Sequence, residues 1–146
     1  MNKIAEYAIL PEAKLIVEVL SGNIFLDDYI GLKQREATDN QYDLNYNFIV
    51  DMRETSDVGY SGDIDIFIEK YIASVKKLQI VGERKSAFIT STPNQVMAFT
   101  IYKLSSDLPI TIEIFTTLAS ALSWLGAKND YKNIIESLIR DIKDKK

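Results

Sequence analysis

The chain contains no histidine and no cysteine. It therefore has no thiol or imidazole to act as nucleophile, general base or zinc ligand, and it forms no disulfides. The lack of cysteine fits a reducing compartment. No stretch approaches the roughly 20 apolar residues that a membrane span requires. Glu6, Glu12 and Lys14 interrupt the apolar residues near the N-terminus, where an export signal would need a continuous run. These absences read as a cytoplasmic chain with no membrane span. A basic face is also missing: the formal net charge is −4, which argues against nucleic acid as a partner. Arg140, Lys143, Lys145 and Lys146 are interleaved with Asp141 and Asp144 and suit the negative end of a helix dipole. No glycine-rich phosphate cradle occurs.

What is present suffices for a core. With 146 residues, 47% apolar and 26% charged, the chain fits one domain of ordinary size that needs no staples. Residues 3–10 and 15–20 read as strands, and the short turn Pro11-Glu12-Ala13-Lys14 between them implies an antiparallel hairpin. Residues 25–38 read as a helix with Leu26, Tyr29 and Ile30 on one face. Polar residues 39–46 make a loop. The apolar run 47–52 suits a strand buried on both faces, and a loop over 53–61 follows it. Ile64, Phe67, Ile68, Tyr71, Ile72 and Val75 form a helical stripe within 63–77. Residues 85–90 and 110–115 are further strands.

Between those strands, Thr92-Pro93-Asn94-Gln95 has the pattern of a capping box opening a helix to about residue 105. Thr117 begins a short helix that ends near Gly126, and Asp130 is read as the cap of a last helix. In that helix Tyr131, Ile134, Ile135, Leu138, Ile139 and Ile142 repeat the stripe spacing. The order β-β-α-β-α-β-α-β-α-α predicts an α/β fold. Its sheet is mixed and mainly parallel, with about five strands, an opening antiparallel hairpin and helices on both faces. We read residues 1–146 as a single domain, with 126–146 as a C-terminal helical extension.

That order, the NFIVDMRE strand and loop, the FITSTPNQV strand-to-helix turn and the closing IEIFTTLASALSWLG resemble the SpoIIAA-like, or STAS-like, family. These are small bacterial domains similar to anti-sigma-factor antagonists, related in fold to lipid-binding CRAL-TRIO domains. The resemblance covers about residues 3–126. It implies a regulatory or protein-interaction domain with no enzymatic activity, or alternatively a carrier of a small apolar ligand or lipid. Anti-sigma antagonists carry a phosphorylatable serine in a D-S-S-G-L-G-type turn, and here that turn is Gly59-Tyr60-Ser61-Gly62-Asp63-Ile64. Ser61-Gly62 matches its S-G step, whereas Tyr60 replaces the first serine and Asp63-Ile64 the downstream pair. Ser61 is thus implied as a phosphoacceptor or switch. Its bare reading is a helix N-cap.

Ligands of open α/β sheets sit outside the carboxyl ends of the parallel strands. That rim would display Asp51, Glu54 and Asp57 after one strand, and Thr90, Thr92 and Asn94 after the next. It is a candidate ligand or partner rim. A receiver-type phosphoacceptor at Asp51 would need an acidic pair after the first strand and a lysine after the fifth. Asp27-Asp28 lies instead at a helix start, and Phe115-Thr116-Thr117 ends the last strand. An enzyme using rim carboxylates and hydroxyls is a second alternative, but Asp51 with Glu54 reads more simply as solvated loop carboxylates. We expect no catalytic residue, cofactor or metal.

Phe99 and Tyr102 fall on a different face of their helix from Val96, Met97, Thr100, Ile101 and Leu104, which suits a protein partner or homodimer contact. Cover by the last helix is the alternative. If the contact is a dimer, Phe99→Asp is expected to shift sedimentation from dimer to monomer. An unchanged stable monomer removes the idea.

Overall fold

The computed structural model describes residues 3–56, 84–93, 95–96 and 110–145, together with Glu69 and Ala73. Five strands, β1 (Ile4–Leu10), β2 (Leu15–Gly22), β3 (Asn47–Thr55), β4 (Arg84–Ile89) and β5 (Ile110–Phe115), form one sheet in the order β1-β2-β3-β4-β5. β1 and β2 are antiparallel and every other pair is parallel. The described helices are α1 (Leu26–Ala37), α2 (Leu118–Leu125) and α3 (Tyr131–Asp144). The mixed α/β sheet read from the sequence is therefore the architecture. No helix among the described residues is long and apolar enough to cross a membrane.

The hairpin turns through one 3-10 turn at Pro11–Ala13, with Pro11 fixing its first φ and Lys14 closing it at φ 54°. β2 follows, and all eight of its residues are buried. Alternation sends its side chains to two cores. Ile16 and Leu20 join Phe48, Val50, Met52, Phe88 and Ile112 beneath Tyr29 and Leu32 of α1. Leu15, Val17 and Val19 join Ile49, Ala87 and Ile89 beneath Leu118, Ala121 and Leu122 of α2 and Ile135 and Ile139 of α3. Helices thus cover both faces.

Three details differ from the sequence reading. β2 and β3 run two and three residues further than expected, through Gly22 and Thr55. The register slips between Val19 and Ser21, and Gly22 at φ 78° lets Ser21 and Gly22 rejoin the ladder opposite Glu54 and Thr55. So Arg53, Glu54 and Thr55 are strand, not loop. Asp130 makes no side-chain capping bond, because its backbone is already helical at φ −56° and ψ −27°. Ile134 falls off the buried stripe and is 46% exposed. Thr117 does cap α2, accepting from the Ser120 N–H at 3.2 Å, and Gly126 ends it at φ 72°. The stripe from Ile64 to Val75 lies outside the described residues. Glu69 and Ala73, off that stripe, are helical and exposed.

Ile135 is fully buried between α3 and the sheet, so Ile135→Ala leaves a cavity. It is expected to destabilise the protein by about 2–5 kcal/mol in urea unfolding. Ile134→Ala on the same helix should stay within about 0.5 kcal/mol of wild type.

Candidate functional site

The carboxyl end of β3 gathers charge from two elements. Asp51 points to the α3 face and is fully buried. Its Oδ1 accepts from Arg53 Nε at 2.8 Å and from the Arg53 backbone N–H at 3.2 Å. Its Oδ2 lies 2.9 Å from Lys143 Nζ, which descends from the last turn of α3. Lys143 also reaches Glu54 Oε2 at 3.2 Å, and Arg53 Nη2 lies 3.8 Å from Glu136 Oε2. Burial works to raise the Asp51 carboxyl, but the hydrogen bonds and charges of Arg53 and Lys143 hold it below its ordinary value of 3.8. The Arg53 guanidinium is held still more firmly protonated, first by its hydrogen bond to Asp51.

An open cleft of about 390 Å³ borders this cluster. Arg53, Glu54, Glu136, Ile139, Arg140, Lys143 and Asp144 line it. Three cations face three carboxylates, with Ile139 as the apolar floor.

The end of β4 is tied to the end of β3 by polar bonds. The Ser91 hydroxyl donates to the Arg53 carbonyl at 2.6 Å. The Gln95 amide N–H donates to the Thr92 hydroxyl at 3.3 Å, while Gln95 Oε1 accepts from the N–H groups of Thr92 and Ser91 at 3.2 and 2.7 Å. This is the capping box that the Thr92…Gln95 spacing predicts. The Gln95 side-chain amide also donates to the Thr55 carbonyl and hydroxyl, each at 3.1 Å. Thr90 is buried, and its hydroxyl has no hydrogen-bond partner among the described residues.

Of the expected rim, Asp51 and Glu54 meet through Lys143, and Thr92 works as a cap. Asp57, Ser61, Asn94, Phe99 and Tyr102 lie outside the described residues. Among the described residues no group of three His, Cys, Asp or Glu is placed to hold a metal ion. The sequence reading missed Lys143 as a partner of Asp51 and assigned it to the helix dipole. Its signal was positional: Lys143 follows the buried Ile135 and Ile139 at i+8 and i+4. A cation on a core-facing stripe calls for a buried carboxylate.

A second charge cluster lies on the α1 face and was also missed. Glu18 of β2 is fully buried and accepts from the Tyr29 hydroxyl at 2.8 Å and from Lys33 Nζ at 2.6 Å. Lys33 Nζ is also 3.5 Å from Glu36 Oε1. The ammonium sits 3.9 Å from the Phe48 ring centroid, and Arg84 Cζ of β4 sits 4.9 Å from the same centroid. The Arg84 guanidinium donates to the Tyr42 hydroxyl.

Because Asp51 titrates lower in the folded chain, its pairs add stability above about pH 3.8 and lose it as pH falls through the folded value. Lys143→Met keeps the stem and removes the charge. It is expected to cost about 1–3 kcal/mol at pH 7. Asp51→Asn should weaken the protein at neutral pH and flatten its acid limb. Urea unfolding at pH 7 and pH 3 checks both, and an equal loss at the two pH values would contradict the pairing.

Comparisons with known family models, curated proteins and solved structures find no match to this chain.

Proposed function

We propose that the chain is a regulatory or interaction domain that works by contact at the carboxyl edge of its parallel strands, as its resemblance to anti-sigma-factor antagonists implies. One observation carries the reading. At the rim position where an α/β enzyme would place a reactive group, Asp51 is fully buried and held by Arg53 and Lys143. A carboxylate so engaged is a structural anchor. It fixes α3 against β3 and leaves Glu54, Glu136, Arg140 and Asp144 as the accessible charges of the cleft.

Alternating charges on a fixed frame suit a protein partner with complementary charges, since such pairs steer encounter and set register. The charged lining supports this over an apolar ligand at the same rim. The mixed sheet with its opening antiparallel hairpin supports the family resemblance. Ser61 remains the proposed phosphoacceptor or switch on that resemblance.

The test is binding of a partner identified by crosslinking. Arg140→Glu is expected to weaken that binding at least tenfold without moving the urea midpoint. Lys132→Glu, on an exposed part of α3 outside the cleft, should leave binding unchanged. Equal binding by both variants would refute the site. Stoichiometric lipid in a denaturing mass spectrum of the purified chain would instead establish a carrier.

A further inference from the structure

Glu18 on β2 and Glu36 on α1 are both fully buried and converge on one ammonium, that of Lys33. Glu18 is well supplied with donors, from Tyr29 and Lys33. Glu36 is not. Neither of its oxygens accepts a hydrogen bond from a described residue. An ionised carboxylate is an acceptor only, and burying one without a donor is strongly unfavourable. As a neutral acid the same group carries an O–H, and the Glu18 carboxylate, placed on the same ammonium at 2.6 Å from Lys33 Nζ, is the acceptor beside it. Two carboxyl groups sharing one buried site do not both ionise at ordinary pH.

We propose that Glu18 and Glu36 share one proton in the folded protein, held by Glu36 as a neutral acid that donates to Glu18, and that this proton makes the seating of α1 on the sheet weaken as pH rises.

The groups around the pair agree with this assignment. From α1 itself come Tyr29 and Lys33, and β4 brings Arg84; burial works to lower Lys33 and Arg84 adds to this, but the charges of Glu18 and Glu36 outweigh both and keep Lys33 charged. β3 brings the uncharged Phe48 ring, and the loop after α1 brings Tyr42. β1 brings Tyr7, whose hydroxyl donates to Asp39 at 2.7 Å and to the Arg35 carbonyl at 3.2 Å. Burial and that bond to Asp39 push Tyr7 up to about 12, so it stays neutral. Burial first, and then the charge of Glu18, raise Glu36 well above the ordinary carboxyl range, against the pull of Lys33. Burial also works to raise Glu18. Lys33, with hydrogen bonds from Glu36, Lys33 and Tyr29, overcomes it and holds Glu18 low.

A proton held more tightly by the folded chain stabilises the fold below the unfolded value of about 4.5, and this is lost as pH rises to the folded value. Between the two values, each pH unit lowers the folding equilibrium constant by up to about tenfold. Glu36→Gln keeps the shape, retains an N–H donor toward Glu18 and has nothing to titrate. Wild type and E36Q are unfolded in urea from pH 5 to pH 9. The ratio of their folding constants is expected to move toward E36Q by up to about tenfold per pH unit over the lower part of that range. A ratio that stays flat overturns the proposal. A second measurement needs no variant: the carbon-13 resonance of the wild-type Glu36 carboxyl. At pH 6 it should sit at the neutral-acid position and move only at higher pH. A carboxylate position at pH 6 overturns the proposal equally.

Discussion

Burial of β2 on both faces is the constraint from which the rest of the structure follows. All eight of its residues are out of solvent, so every side chain on it needs a partner inside the protein. Seven positions meet this with apolar side chains, Ser21 or Gly22. Glu18 cannot, and its requirement decides what α1 must carry. Tyr29 and Lys33 are four residues apart on one helical face, and both reach the Glu18 carboxylate. The helix is therefore positioned by a polar lock as well as by Leu32 and Tyr29 packing on Ile16 and Leu20. On the other face, Asp51 of β3 imposes the same requirement on α3. Lys143 meets it from the last turn, after Ile135 and Ile139 have placed the helix on the sheet.

The elements were legible in the sequence because their signals are local. The Pro11 turn, the apolar run at 47–52, the Thr92…Gln95 box and Gly126 each announce a boundary through one or two residues. The mixed, mainly parallel sheet and the two-faced cover followed from the succession of strands and helices. The extension of β3 to Thr55 was not legible, because Arg53 and Glu54 look like loop residues. Only a register slip on the neighbouring strand, with Gly22 at positive φ, shows that they pair.

The charge clusters were illegible for a different reason. The buried stripe of α1 is Tyr29, Leu32, Lys33 and Glu36, a correct i, i+3, i+4, i+7 spacing with two charges on it. A reading by hydrophobicity discards Lys33 and Glu36 and settles on Leu26, Tyr29 and Ile30. The same filter sent Lys143 to the helix dipole. What identifies these residues is a partner remote in sequence, Glu18 for Lys33 and Asp51 for Lys143, and no window along the chain contains both. The candidate rim was legible in part: Asp51 and Glu54 stand where the topology puts them, but their neutralising cation comes from the far end of the chain.

The two clusters both set carboxyl groups against cations but reach opposite protonation states, and stoichiometry explains why. Asp51 is one carboxylate between two cations, Arg53 and Lys143, so ionisation is favoured. Glu18 and Glu36 are two buried carboxylates that touch one ammonium, that of Lys33. One cation satisfies one carboxylate, and the second is relieved by keeping its proton. The first cluster therefore weakens as pH falls and the second as pH rises. α3, at the proposed contact rim, loses support as pH falls, whereas α1, on the opposite face, loses it as pH rises. The two faces of the sheet thus respond to pH in opposite directions.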